Sequence, residues 1–285
     1  MKTKDTLTVG VVGLGLIGGS VARAYQADGY TVYGADIDKT TESYATLAGI
    51  TVGALTEESL SECDLVFIAL YPEATVSYMK QNARRVKKGA FVFDLCGVKH
   101  EICEVGFSLA AENGYTFIGG HPMAGTQFSG LKYSRSTLFR GAPMVLVPPR
   151  YDDISLLDTA KKLLSPLGFG SFSVTTATEH DRMIAFTSQL AHVVSNAYVK
   201  SPQVQNCDGF TGGSFQDMTR IAGVDEQVWT PLYAYNRENV LGELEGLIAQ
   251  LSIYRDALKD CNDEKLSNAL KDGRKIRETI RRKND

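Results

Sequence analysis

The sequence has no C-x-x-C pair, no excess of positive charge and no uninterrupted apolar run of the roughly 20 residues that span a bilayer. Each lack removes a class of function. The five cysteines, Cys63, Cys96, Cys103, Cys207 and Cys261, are scattered and odd in number, so no metal site is expected and free thiols in a reducing cytoplasm are. A formal net charge of -3 offers nothing to phosphate backbones, which argues against nucleic acid as a partner. The apolar stretch near the N-terminus holds five glycines within residues 10–19 and lacks a convincing small-residue cleavage site, unlike an export signal. No membrane partner is expected.

What remains is 285 residues with 44% hydrophobic content, enough for two ordinary domains. Residues 7–12 read as a buried parallel strand that runs into Gly13-Leu14-Gly15-Leu16-Ile17-Gly18, and a helix follows. The glycines have mechanical roles: Gly13 for the tight turn, Gly15 for close approach of a pyrophosphate, Gly18 for close packing of helix on strand. Leu16 and Ile17 open the helix, whose N-terminus faces the anion. The next strand, residues 31–35, ends at Asp36, about 20 residues past the glycines, where a carboxylate meets a ribose 2′-hydroxyl and repels a 2′-phosphate. NAD is the expected cofactor, in preference to NADP. Asp38 reads as a solvated turn residue.

Further strands are predicted at residues 64–70, 90–95, 115–118, 145–147 and 170–174, with helical segments among them, the pattern of a doubly wound, mostly parallel sheet. Leu70, Tyr71, Pro72 and Cys96 fall at strand ends, where open α/β sheets meet their ligands, and are expected at the cofactor. His121, in Gly119-Gly120-His121-Pro122, is expected just past a strand's carboxyl end; taken alone it also reads as a hydrogen-bonded loop residue. From residue 176 the pattern is helical, which gives a Rossmann domain over residues 1–175 and an all-helical domain over residues 176–285. Ser188, Gln189 and His192 are spaced to share one helix face. Arg220 follows a predicted glycine turn and a helix start capped by Ser214 with Asp217; its guanidinium suits a substrate carboxylate or Asp217 itself. His180, beside Asp181, reads as structural.

Four blocks together resemble the prephenate/arogenate dehydrogenase family of tyrosine biosynthesis, over nearly the whole chain: residues 13–20, His121-Pro122-Met123-Ala124-Gly125, Ser188-Gln189-Leu190-Ala191-His192, and residues 212–222 with Trp229. The resemblance implies a Rossmann domain, a helical domain that forms a homodimer, and a cleft between them. It also implies NAD-dependent oxidation of prephenate, with loss of CO2, to 4-hydroxyphenylpyruvate. In that reaction His121 is the base and Arg220 holds a carboxylate, with Thr126, Ser188, Gln189 and His192 as further substrate contacts. Arogenate, which carries an amino group in place of the keto oxygen, is the alternative substrate; a non-catalytic NAD-sensing protein is a more distant reading. Two positions depart from the family pattern. Gly97 stands where many members place a serine that orients the histidine, which leaves open the group that fixes the tautomer of His121. Gln189 stands where many have a second histidine. With no regulatory or mutase segment in view, the chain is expected to be monofunctional.

Overall fold

The computed structural model of the chain describes residues 7–126 and 128–284. It divides into two compact units, one up to Asn236 and one from Arg237 onward. The first unit is built on an eight-stranded sheet: β1 (Thr8–Val12), β2 (Thr31–Ala35), β3 (Gly53–Ala54), β4 (Leu65–Ile68), β5 (Phe91–Asp94), β6 (Thr116–Pro122), β7 (Pro143–Val147) and β8 (Ser171–Val174). Its order is β3-β2-β1-β4-β5-β6-β7-β8, and only the β6–β7 pair is antiparallel.

Alternation along the strands sorts their side chains into two cores. Val9, Val11, Phe67, Phe93 and Ile118 join Val21 and Tyr25 of α1 (Leu16–Ala27) and Leu163 of α6 (Ile154–Leu163). Val12, Val66, Ile68, Val92 and Phe117 join Met79 of α4 (Pro72–Asn82) and Ile102 of α5 (His100–Asn113). A sheet covered on both faces needs apolar residues at successive positions, which is why the strands read as continuous hydrophobic runs. Within the first core Tyr25 lies 5.3 Å from Phe67, which lies 5.7 Å from Phe93, between ring centroids. Burial of each such ring contributes about 1.5–3 kcal/mol.

The strand that carries His121 is longer than its sequence pattern predicts. β6 continues through Pro122, with His121 opposite Val145 of β7, so the histidine lies in the strand and not past its end. Glycine and proline hide strand character in a propensity reading, and pairing to β7 supplies it.

After the sheet come α7 (Ala177–Ile184), a π-helical turn (Ala185–Leu190), α8 (Ala191–Tyr198), α9 (Gly213–Thr219) and α10 (Glu226–Tyr235). The π turn corrects the expectation of one regular helix across this stretch. The second unit consists of α11 (Arg237–Lys259) and α12 (Asp263–Asn284), and leaves Leu241, Ile248, Leu251, Leu258, Leu270 and Ile276 exposed.

Candidate active site

At the carboxyl end of β1 the glycine turn has the geometry its residue types require. Gly13 sits at φ +86°, and a Cβ there would come 2.4 Å from the Ala69 carbonyl oxygen. A Cβ at Gly18 would come 1.8 Å from the Gly13 oxygen, closer than any side chain can be. Gly15, the N-cap of α1, has no atom within 4 Å of its Cβ position and no side chain capping the helix. No side chain competes for the N–H groups of the first turn, Leu16 and Ile17 among them, the arrangement that receives a pyrophosphate.

Asp36 follows β2 at the rim of this turn. The Leu14 N–H donates to its Oδ2 at 2.7 Å and the Asp38 N–H to its Oδ1 at 3.0 Å, which fixes the carboxylate and leaves each oxygen a further lone pair for ribose hydroxyls. A dinucleotide thus fits the residues present. Asp38 is more than a solvated turn residue: it caps α2 (Lys39–Leu47), accepting from the Thr40 N–H at 2.9 Å and the Thr41 hydroxyl at 2.8 Å.

Tyr71 is the exposed N-cap of α4 and Pro72 its first residue, at the end of β4 as expected, with Leu70 partly buried before them. Cys96 is not available in the way expected. Its side chain is 5% exposed and packed in the second core, and burial pushes its thiol up to about 11. Only the backbone of Cys96 is left for a cofactor.

The chemistry is concentrated around His121. Its Nδ1 lies 2.9 Å from Nε2 of His180, and Nδ1 of His180 lies 2.7 Å from Oδ1 of Asp181. Asp181 in turn accepts the N–H groups of Lys99 and His100, each at 2.8 Å, at the start of α5. The His121 ring is partly buried, and this burial, aided by His180 and Lys99, holds its pKa well below the ordinary imidazole value of about 6.5. The shift is in the direction that suits a base: the ring is neutral at pH 7. Burial also lowers the His180 pKa. His180 and Asp181 are the functional candidates that sequence reasoning passed over. The available signal was their adjacency at a helix start.

Beneath this chain Lys99 and Asp94 form a salt bridge with no exposed surface. The ammonium also donates to the carbonyls of Cys96 at 2.7 Å and Val98 at 2.9 Å, and Asp94 accepts the N–H groups of Cys96 at 3.0 Å and Gly120 at 3.2 Å. Burial pulls the Lys99 pKa down, but the Asp94 charge outweighs it and the ammonium stays protonated. The bridge locks the loop after β5 to the backbone beside His121. On the other side of the imidazole, a Cβ at Gly97 would stand 3.8 Å from Nε2 and 3.4 Å from Leu232 Cδ2, ordinary contact distances, so the Gly97 backbone and Leu232 border that nitrogen.

A second cluster forms around His192. Its Nδ1 lies 3.0 Å from the Ile221 carbonyl and its ring centroid 4.0 Å from that of Trp229. Burial lowers its pKa, the Ile221 bond opposes this, and the nearby Arg220 charge lowers it further. Arg220 is exposed at the C-terminal end of α9 and forms no ion pair among the described residues, Asp217 included. The expected Ser214–Asp217 cap is absent: α9 begins two residues earlier, after Gly212, without a side-chain cap.

Of the other expected substrate contacts, Ser188 is partly exposed and Thr126 lies in an exposed loop, its hydroxyl 3.3 Å from the Phe128 N–H. Gln189 is turned inward. It is 2% exposed, donates to the Leu232 carbonyl at 3.1 Å and accepts from Asn236 at 2.6 Å, and Asn236 also donates to the Asp181 carbonyl at 2.8 Å. Both ends of its amide are occupied, so Gln189 braces α10 against the π turn and does not reach a substrate.

Two family models match the chain. "Prephenate dehydrogenase, nucleotide-binding domain" covers residues 21–171, and "Prephenate dehydrogenase, dimerization domain" covers residues 176–272. Among curated proteins the chain is similar to a prephenate dehydrogenase of Lactococcus lactis, 28% identical over 95% of this chain and 76% of that one. Among solved structures it is similar to a prephenate dehydrogenase of A. aeolicus in complex with hydroxyphenyl propionate and NAD+, at TM-score 0.78 and 28% identity over 98% of this chain and 100% of that one. It is also similar to an arogenate dehydrogenase of Synechocystis, at TM-score 0.79 and 26% identity over 96% of this chain and 100% of that one.

Proposed function

We propose that this chain, which belongs to the prephenate dehydrogenase family, catalyses the oxidative decarboxylation of prephenate to 4-hydroxyphenylpyruvate, with arogenate as the alternative substrate. The observation that carries this reading is the neutral His121, set in the sheet with Nδ1 engaged by His180 and with Nε2, beside Gly97, bonded to none of the described residues. NAD, when bound, supplies the acceptor for the hydride that leaves the ring carbon bearing the hydroxyl. His121 takes the hydroxyl proton, and loss of CO2 leaves the ring aromatic. Arg220 holds a substrate carboxylate, with His192, Ser188 and Thr126 around it. Five unbridged cysteines suit a cytoplasmic setting. The test is NADH formation at 340 nm with prephenate and arogenate side by side. Turnover of neither substrate overturns the reading.

Asp36 gives the cofactor preference. Its carboxylate, already fixed by two backbone donors, repels a 2′-phosphate, so kcat/KM with NAD should exceed that with NADP. Steady-state kinetics with the two cofactors decides it, and a preference for NADP would show Asp36 to be misassigned.

Arg220→Ala should raise the substrate KM and leave cofactor affinity unchanged, because a carboxylate held alike in ground and transition states is uniform binding. An unchanged KM with a fall in kcat alone contradicts this role.

The unit of α11 and α12 leaves an apolar stripe open, with Leu241, Ile248 and Leu251 each more than half exposed. We read the stripe as a homodimer interface, since exposed apolar surface on this scale seeks a partner. Light scattering at micromolar concentration should give twice the chain mass; a fully active monomer refutes the dimer.

A further inference from the structure

We propose that Asp181 is a positioning residue which, acting through His180, fixes the tautomer of His121 and so makes Nε2 the atom that takes the substrate's proton. This rests on the reading of His121 as the base. The N–H groups of Lys99 and His100 can only donate, and they meet Oδ1 and Oδ2 of Asp181 at 2.8 Å each, so both carboxylate oxygens act as acceptors. They are the N-cap and first residue of α5, whose positive dipole end favours an anion there. Oδ1 must then also accept from His180, which places the proton of that neutral ring on Nδ1, 2.7 Å away.

A neutral imidazole has one N–H and one lone pair, so Nε2 of His180 is an acceptor. It lies 2.9 Å from Nδ1 of His121, which must therefore carry the proton of its own ring. Nε2 of His121 is left as the lone pair. No described residue bonds to it, and Gly97 presents no side chain on that flank.

The other ionisable groups facing the relay agree with this assignment. Lys99 and Asp94 lie below it and are satisfied by each other and by backbone partners, so neither supplies a proton to the rings nor takes one. The relay spans β6, α7 and the start of α5. It supplies in this chain the orientation that the position of Gly97 lacks a side chain to give.

Two measurements test it. The chain has only four histidines, His100, His121, His180 and His192, so long-range 1H–15N spectra of the full protein without ligands are assignable by single His→Gln substitutions. The expected spectrum at neutral pH has the His121 proton on Nδ1 and a bare Nε2. In Asp181→Asn one amide oxygen must serve three N–H donors, those of Lys99, His100 and His180, so His180 is no longer held with its proton on Nδ1; both rings can reverse, and the His121 proton is expected to move to Nε2. That variant should lose roughly a hundredfold to ten-thousandfold in kcat, the range set by a wrong tautomer at a catalytic histidine, with KM for substrate and NAD held within twofold. A wild-type spectrum with the His121 proton on Nε2 overturns the proposal, as does a reversed tautomer with unchanged kcat. If Asp181→Asn does not fold, the wild-type spectrum decides alone. If the spectrum is as expected but neither prephenate nor arogenate is turned over, the relay stands and the assigned reaction falls.

Discussion

Replacing His121 with asparagine should lower kcat by roughly a hundredfold to ten-thousandfold, the usual contribution of a positioned general base, and leave the substrate KM little changed. Asparagine retains a hydrogen-bonding group of similar reach but cannot take the proton. The acid limb of the wild-type profile is the sharper readout. Because burial holds the His121 pKa well below the free value, kcat should hold steady through pH 6.5 and fall only on further acidification. In the variant that limb should disappear. A variant with an unchanged acid limb, or with near-normal turnover, would pass the role of base to another group, His192 first. Stability follows the same direction. Both His121 and His180 have folded-state pKa values below the unfolded one, so the unfolded chain protonates first as the pH falls; stability is full above about 6.5 and declines below it.

Lys99→Met should cost about 3–5 kcal/mol, since it strands the Asp94 carboxylate in the core with its counter-charge removed. Set against a total stability of roughly 5–15 kcal/mol, that removes at least about a fifth of it. The loss would also release the carbonyls of Cys96 and Val98, which have Lys99 Nζ as their donor, and loosen the loop that carries Gly97 past His121. Urea denaturation of wild type and variant measures it. A difference under about 1 kcal/mol, the range of exposed ion pairs, would mean that water reaches Asp94 and that the bridge is not the lock described above.

The parts of this molecule that were legible in the sequence are those whose cause is local. The glycine turn is one: Gly18 meets the Gly13 carbonyl oxygen five residues back, and Gly13 is required by its own backbone at φ +86°. The strand at residues 31–35 and the carboxylate after it are another. What could not be read is set by packing over long sequence distance. Gln189 looks like a cleft residue by spacing, and only the neighbouring α10, 43 residues away at Leu232, shows that both ends of its amide are taken. Cys96 sits at a strand end, as a cofactor contact should, yet its thiol points into the second core. His180 is the clearest case. Helix periodicity gave it no role, because its role lies with a histidine 59 residues earlier on another element.

The π turn at Ala185–Leu190 determines which histidines can serve one site. At about 100° per residue, the twelve steps from His180 to His192 in a regular α-helix would leave the two side chains about 120° apart around the axis. A single π turn absorbs one extra residue and sets the later residues back by roughly 100°, which brings the pair to within about 20° of a common direction. In helical terms the turn holds one residue more than a regular α-helix would. A shortened chain would heal into an unbroken helix, satisfy its backbone as well as before, and swing His192 with Trp229 and Arg220's neighbourhood a third of a revolution away from the relay.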